Sequence, residues 1–282
     1  MDSDTEEIED GPVSEKEMKI LEQFRAKLDY QGDPYGIIKC DWKLVRYLRA
    51  RSMDVKKAEL LFHKSMKQRA HYLECPEEIQ KWFFTHVSSS HFTQLLSDLT
   101  QSRLPWYFRD KENRLAYFIR LGRLTKGNVR ELGYKNMAHM MVWTGKFLEQ
   151  DLETHFIENE CTGSMKVHIV VDLDGFDMSS LALKDLPTVA RSQLSVIFDI
   201  FPETVGFITI INAPPFIVTA WPVVAMFVPR NTRKRITVSG TNVTENATKL
   251  LEMFTPLNLP LALGGACNTD GPYCPSRVFC SS

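Results

Sequence analysis

Two aspartates at the end of an apolar run are the residues in this chain whose spacing is closest to a catalytic pattern. The segment KVHIVVDLDGF (166–176) ends in Asp172 and Asp174. In phosphatases of the haloacid dehalogenase type, two aspartates at such a strand end act as nucleophile and as general acid/base. That chemistry also needs Mg²⁺ held by acids at a later strand end, because charge develops on the transferred phosphoryl group.

The later strand ends do not supply those acids. A strand predicted at 206–211 ends in Asn212-Ala-Pro-Pro, and one predicted at 235–239 ends in Gly240-Thr-Asn. Phe176 also stands where the phosphatases carry Thr or Val. We therefore predict that the chain is not an enzyme and has no metal or cofactor site, and we expect the aspartates to bind backbone amides of their own turn. The phosphatase stays as an alternative hypothesis.

The elements around the motif predict two structural regions. Residues 14–90 have only helical periodicity, with a capping box from Ser14 to Glu17 and possible helix caps at Asp41 and Asp54. Further along, strands alternate with helices: strands are predicted at 115–121, 167–172, 206–211 and 235–239, and helices near 134–157, 183–200, 216–228 and 244–254. This alternation predicts an α/β fold with a mostly parallel mixed sheet and flanking helices, preceded by a small all-helical N-terminal lobe.

Composition and charge limit the possible functions. The formal net charge of the 282 residues is −1, which gives no overall attraction to nucleic acid. Residues 1–13 form an acidic segment that we predict to be disordered. The N-terminus has no basic region followed by an apolar core, so we predict no signal peptide and a cytoplasmic location. Three cysteines in the predicted flexible tail, 266–282, are expected to be free thiols: Cys267, Cys274 and Cys280.

One long segment, residues 204–229, carries no charged side chain. Its prolines argue against a single membrane-spanning helix, and a strand, a turn and a helix fit better. The basic run RNTRKR (230–235) follows it, so apolar surface for a lipid tail and donors for an anionic headgroup could lie together. A second basic group on the helix after Asp41 has the default interpretation of a solvated face: Lys43, Arg46, Arg49 and Arg51.

Several segments resemble the CRAL-TRIO family of lipid-binding proteins. The matching motifs are LVRYLRARSMDVKKAELLF, VVDLDGF, FPETVGFITIINAPPF, NTRKRI and NLPLALGG, in the order and spacing of that family over about residues 14–265. The resemblance implies a helical N-terminal lobe at 14–90 and a lipid-binding domain at 91–265. It also implies a deep lipid pocket closed by a mobile gate helix, here 216–228.

The resemblance further implies which residues contact the lipid. In members that bind phosphatidylinositol, the positions matching Arg51, Glu203, Thr232 and Arg235 hold the inositol phosphate. Ser52 departs from the Lys of those members, and Arg235 replaces a Lys. Val167 and Ile169 replace the Ser and Thr of members that also carry phosphatidylcholine, so no such choline-lipid site is expected. The implied pocket and gate residues are Tyr117, Met141, Phe216, Trp221 and Phe227.

Together these expectations predict a protein that binds a phospholipid, with phosphatidylinositol or a phosphoinositide as the first candidate. It would transfer or present that lipid between cytosolic membranes, in transient contact with an anionic membrane surface. Two alternatives stay open: a carrier of a retinoid, tocopherol or squalene-like ligand, and a lipid-gated regulatory sensor.

Overall fold

The computed structural model of the chain describes most of the predicted helices and strands. The described residues are 11–28, 30–73, 108–119, 138–139, 142, 145–146, 148–160, 162–176, 198–226, 228 and 233–267. Most of the predicted acidic leader, nearly all of the cysteine-containing tail and most of the helix predicted at 183–200 lie outside these residues.

The described part of the N-terminal lobe contains three α-helices: Glu15–Arg25 (α1), Asp41–Arg49 (α2) and Val55–Leu73 (α3). The predicted capping box is confirmed, since the amide of Glu17 donates to Ser14 Oγ and the amide of Ser14 donates to the Glu17 carboxylate. The apolar faces of the helices meet in a buried core, where the ring of Phe62 makes edge contacts with Phe24 and Tyr47. Such burial supplies most of the stability of short helices like these.

Only one of the two aspartate caps predicted for this lobe is present. The amide of Lys57 donates to Asp54 Oδ1 at 3.1 Å, as expected for a cap of α3. The prediction for Asp41 was wrong, because α2 begins at Asp41 itself and its N-cap is Cys40, whose side chain makes no capping bond. Asp41 instead forms an ion pair with Arg25 of α1.

Among the described residues, five strands form one sheet in sequential order: Phe108–Arg109 (β1), Leu115–Ile119 (β2), Val167–Asp172 (β3), Val205–Ile211 (β4) and Ile236–Val238 (β5). Strands β2 to β5 are parallel, and β1 pairs antiparallel with β2. The helices that follow β4 and β5 are Pro215–Ala225 (α4) and Val243–Met253 (α5). The predicted α/β fold with a mostly parallel mixed sheet is therefore confirmed, and β1, two residues long, is its unpredicted edge.

The two faces of the sheet are covered differently. On one face, here called the packed face, Phe118, Val170 and Ile211 are buried against Leu250 and Phe254 of α5. The other face, here called the open face, carries two rows of side chains in register. The inner row is Tyr117, Ile169, Ile208 and Ile236, and the outer row is Ile119, Val171, Ile210 and Val238.

The described helical segment between β2 and β3 lies over the open face. Connections between adjacent parallel strands are right-handed as a rule, and right-handed crossovers in one direction fall on one side of a sheet. Residues 148–158 are helical, and Leu148 and Leu152 of this segment pack on Tyr117 of the inner row. From the same rule we expect α4, which connects β4 to β5, on the side of the open face.

Buried ion pairs join the helical lobe to the rest of the chain, and they correct the interpretation of the basic group on α2. Arg46, almost fully buried, donates to the carbonyl of Met165 at 3.0 Å and lies 3.6 Å from the Glu149 carboxylate. Arg69 of α3 donates to both carboxylate oxygens of Glu149, at 3.0 and 3.1 Å. Because Arg46 and Arg69 are paired with Glu149 inside the protein, they do not form a solvated basic face.

The other two cations at the start and end of α2 are also paired. Lys43 binds Glu153 at 2.8 Å, and Arg49 binds Glu17 of α1 at 2.7 Å. Burial alone would raise the pKa of Glu17, but hydrogen bonds from Arg49 and Ser14 lower this pKa to about 2. The carboxylate therefore stays charged and ties α1 to α2 at any pH near neutrality.

Candidate lipid-binding site

The outer row of the open face is a strip of aliphatic side chains that the fold leaves partly accessible. Ile119, Val171, Ile210 and Val238 pair across four adjacent strands, and all four are half-buried. The strip lies toward the carboxyl ends of the strands, beyond the part of the open face where Leu148 and Leu152 pack. Apolar surface that water can still reach favours the burial of another apolar molecule.

The helix α4 is apolar on both its inner and its outer side. Ala225 is buried, whereas Val218 and Val223 are 47% and 43% exposed, and Met226, directly after the helix, is 64% exposed. A helix without charges on its outer face is unusual at a water-exposed surface. Pro222 lies inside α4 and removes one backbone hydrogen bond, which weakens the helix there. No helix among the described residues has both the length and the apolar character needed to cross a membrane.

The predicted gate helix is present but shorter than predicted. It ends at Ala225 rather than 228, and Pro222 falls within it rather than in its first turn. Of the predicted gate residues, Phe216 is half-buried and its ring centre lies 6.5 Å from that of Phe176, and Trp221 is half-buried. Phe227 lies outside the described residues.

Of the predicted pocket residues, Tyr117 lies on the inner row of the open face. Its ring is buried, and its hydroxyl donates to Asp151 Oδ2 at 3.1 Å. The hydrogen bond satisfies the polar end of a side chain whose body packs below the helical segment 148–158. Met141 lies outside the described residues.

The predicted headgroup residues Glu203 and Arg235 lie at the amino-terminal edge of the sheet, here called the amino edge. Glu203 comes two residues before β4 and Arg235 one residue before β5. The two strands are adjacent, and the amide of Ile208 donates to the carbonyl of Arg235 at 3.1 Å. The guanidinium of Arg235 lies 5.1 Å from the centre of the Phe207 ring, which orients it at this edge.

Glu203 forms a nearly buried ion pair that the sequence did not suggest. Its carboxylate lies 2.7 Å from the ammonium of Lys166, and the two side chains are 9% and 4% exposed. Gly206 makes room for this lysine, because a Cβ at Gly206 would lie only 2.9 Å from Lys166 Cβ. Lys166 therefore places a cation next to Glu203. The lysine that inositol-lipid-binding members carry after the position of Arg51 is replaced by Ser52 in this chain.

Arg51 lies on the helical lobe, in the turn between α2 and α3. Its guanidinium donates to the carbonyl of Ala50 at 2.8 Å and is half-buried. The same α2 reaches the amino edge through Arg46, which donates to Thr204 Oγ1 at 3.4 Å, next to Glu203. The structure thus brings Glu203 and Arg235 to one edge, and it attaches α2, which ends two residues before Arg51, to that edge. Thr232 lies outside the described residues.

Sequence reasoning missed Lys166 and Phe207 as neighbours of the headgroup residues. A lysine at the start of an otherwise apolar strand was the one available signal for Lys166. Phe207 is half-buried between strand neighbours, and its ring lies within 4.5 Å of the Arg114 guanidinium as well as near Arg235. Neither contact can be derived from spacing along the chain.

Of the two aspartates at the end of β3, Asp172 stabilises its own turn, as predicted. Asp172 Oδ1 accepts hydrogen bonds from the amide of Asp174 at 2.9 Å and from Asn212 Nδ2 at 2.8 Å. In the described part of the chain, no group of three His, Cys, Asp or Glu side chains could hold a metal ion. His168 of the same strand is buried in the packed face and shares a hydrogen bond with Thr209 at 2.9 Å.

Comparison with known proteins identifies the family. The model of the CRAL/TRIO domain matches residues 99–265. The SEC14 cytosolic factor of Yarrowia lipolytica is 28% identical over 260 residues, which cover 83% of this chain and 46% of that protein. The phosphatidylinositol/phosphatidylcholine transfer protein SFH7 of Arabidopsis thaliana is 26% identical over 228 residues, 79% of this chain and 39% of that protein. The chain therefore spans less than half the length of these relatives.

A solved structure supports the same fold independently. The crystal structure of Sfh5 matches with a TM-score of 0.62 at 12% identity and covers 92% of this chain and 90% of that one. At this identity the likeness concerns the fold alone. The family model, the relatives and the fold agree with the motifs of the sequence, and the chain belongs to the CRAL/TRIO domain family of lipid-binding proteins.

Proposed function

We propose that the chain binds a phospholipid with an inositol headgroup and transfers or presents it between membranes. The observation that carries this proposal is the half-buried aliphatic outer row of the open face, on the side of the sheet where the crossover rule leads us to expect α4. The four residues of this row span three strand spacings, about 14 Å, close to the ~15 Å that a tail spans in half of a ~30 Å hydrocarbon core. The tails of the lipid would lie along this row.

The headgroup would lie at the amino edge. Arg51 and Arg235 are the cations expected to hold the phosphate, and Thr232 is expected to add a hydroxyl donor. Glu203 would accept from an inositol hydroxyl only if its carboxylate keeps an acceptor site beyond the bond to Lys166. A carboxylate has room for such a second bond, so the ion pair is compatible with this role.

We further propose that α4 is the gate and the membrane contact, and that the chain acts as a carrier in the cytoplasm rather than as an enzyme. Val218, Val223 and Met226 would enter the interfacial layer of the bilayer. Arg233 and Lys234, both exposed, follow α4 and would attract anionic lipids by about 1 kcal/mol each. This combination of apolar surface and charge suits transient binding, because neither part alone anchors a protein firmly.

A vesicle assay tests the proposal. The purified chain should carry labelled phosphatidylinositol from donor to acceptor vesicles, and native mass spectrometry of the chain purified from cells should find this lipid bound. Absence of both transfer and bound lipid would refute the proposal. Transfer of a retinoid, tocopherol or squalene-like molecule in place of phosphatidylinositol would identify the alternative carrier.

A matched pair of variants tests the headgroup site. Arg235→Ala should abolish loading with phosphatidylinositol, because it removes a cation proposed to bind the phosphate. Lys234→Ala removes the same charge one residue away and should keep the loading, with only a weaker attraction to anionic vesicles. Equal loss of loading in both variants would mean that Arg235 acts through overall charge and not through contact with the headgroup.

A second pair tests the gate. Val218→Glu places a charge on the outer face of α4 and should slow transfer at least tenfold, because a buried carboxylate in the interfacial layer is unfavourable. Leu60→Glu changes an aliphatic residue of α3 that is also exposed, 72% against 47% for Val218, and should leave transfer unchanged. Unchanged transfer by the Val218 variant would exclude α4 as the membrane contact.

A further inference from the structure

A crevice of about 270 Å³ opens at the carboxyl-terminal ends of β3 and β4, on the packed-face side of the sheet. Its apolar floor includes Ile211, Leu250 and Leu263, and its polar side includes Asp172, Asp174 and Asn246. None of its lining residues belongs to the open face or to the predicted headgroup site. Crevices at the carboxyl ends of parallel strands are a common place for ligands in open α/β sheets.

The amide of Asn246 leaves one acceptor unused at this crevice. Its Nδ2 donates to Asn212 Oδ1 and to the carbonyl of Gly240, both at 2.9 Å, which determines the orientation of the amide. Asn246 is 4% exposed, and no donor among the described residues reaches its Oδ1. A buried carbonyl oxygen without a donor is unfavourable, so this atom would gain from a donor brought by a ligand.

The polar side of the crevice therefore presents acceptors. The carboxylates of Asp172 and Asp174 add two negative charges to the free Oδ1 of Asn246. The nearby base Lys249 does not line the crevice and donates to Ser239 Oγ at 3.0 Å and to Glu245 at 2.7 Å. At the N-terminus of α5, the amide of Glu245 already donates to Asn242 Oδ1 at 3.2 Å.

We propose that this crevice is a second ligand site, which takes a primary ammonium or guanidinium group on a short apolar chain. The positive charge matches the two carboxylates, the N–H groups match the free acceptor, and the short chain matches the aliphatic floor. The volume lies just below the roughly 300 Å³ at which pockets for drug-sized ligands begin, so the ligand is small. The group comes either from a free amine or from a Lys or Arg side chain of a partner protein.

Nuclear magnetic resonance of the full ¹⁵N-labelled chain tests this site with butylammonium chloride as the probe. Saturable shifts of the side-chain NH₂ signals of Asn246 and Asn212 are expected. Butanol has the same apolar chain and no charge, and should bind at least tenfold more weakly. Absence of saturable shifts, or equal binding of butanol, would overturn the proposal.

Two variants locate the charge that binds the probe. Asp172→Asn keeps an oxygen for the bonds from Asp174 and Asn212 but loses the charge, and Asp174→Asn loses an exposed charge with no effect expected on folding. Each should weaken butylammonium about tenfold and leave butanol unchanged. If the Asp172 variant does not fold, the Asp174 variant decides, and undiminished binding by it would refute the role of the carboxylates.

Two peptides distinguish the sources of the ligand. If acetyl-Gly-Lys-Gly-amide shifts the same signals as strongly as butylammonium, and the norleucine analogue does not, the crevice accepts a side chain from a partner protein. If butylammonium binds and the lysine peptide does not, the ligand is a free amine.

Discussion

Replacing Glu149 by glutamine should strongly destabilise the chain, because Glu149 neutralises two buried arginines. Arg69 donates to both of its oxygens, and Arg46 lies 3.6 Å away. The side chains of Arg69 and Arg46 are 2% and 3% exposed, and that of Glu149 is 13% exposed. Burial would raise the pKa of Glu149, but the charges of Arg69 and Arg46 outweigh it and hold this pKa below its usual value. Burial lowers the pKa of Arg46 to about 10, so Arg46 remains charged at neutral pH.

The expected loss follows from the charges that Glu149→Gln leaves behind. The introduced amide would keep the shape of the side chain but leave two guanidinium groups buried without a counter-ion, which costs about 3 to 5 kcal/mol. With a urea m value of about 3 kcal/mol per molar, the midpoint of unfolding should fall by roughly 1 to 1.7 M. Because Arg46 and Arg69 belong to the helical lobe, this lobe should also unfold before the sheet.

Urea unfolding followed by circular dichroism and by tryptophan fluorescence checks both effects. Trp42 reports on the interface, since the Arg46 guanidinium lies 4.5 Å from the centre of its ring. Glu153→Gln is the matched control, one helical turn further on, where the carboxylate is 35% exposed and pairs with Lys43. The control should lose at most about 1 kcal/mol. Equal losses in the two variants, or coincident transitions in the Glu149 variant, would refute this reasoning.

Two further changes test the packing at the amino edge and the acid stability of the helical lobe. Gly206→Ala should lower the free energy of unfolding by about 1 to 3 kcal/mol, measured by thermal unfolding, because the added Cβ pushes Lys166 aside. Gly32→Ala is the control, since the space around its Cβ position is open, and it should cost less than about 1 kcal/mol. Similar losses in the two variants would contradict the close contact at Gly206. The lowered pKa of Glu17 means that its contribution is complete above its ordinary pKa of 4.5 and is lost as the pH falls toward 2. Glu17→Gln should therefore flatten the loss of stability between about pH 4.5 and 2, and an unchanged pH profile would contradict the bond to Arg49.

Local patterns in the sequence predicted the regular elements well. The run VHIVVD became β3 with the predicted bounds, and the capping box at Ser14 begins α1. Alternation of strand and helix was enough to predict a parallel sheet, because a parallel connection needs a crossover. The bounds of α4 were less accurate, since an apolar run shows no change in periodicity where a helix ends.

The candidate site was only partly predictable. The linked motifs of the family pointed to Glu203 and Arg235, and the structure places these two residues just before the starts of adjacent strands. Arg46 looked like part of a basic surface, yet it is buried against the carboxylate of Glu149, which is distant in the chain. Charge counting along one helix cannot reveal such a pair, because the partner approaches only through the folding of the whole chain.

The sequence by itself determined the periodicity of each element, the order of strands and helices, the uncharged stretch that became α4 and the acceptors at the end of β3. These follow from local preferences of the backbone and from the spacing of apolar residues. Only the tertiary structure decided which cations are buried, that Lys166 neutralises Glu203, and that one row of the open face stays accessible. The physical reason is that burial and pairing depend on neighbours distant in the chain, and the energies of charges and apolar surfaces are set by those neighbours.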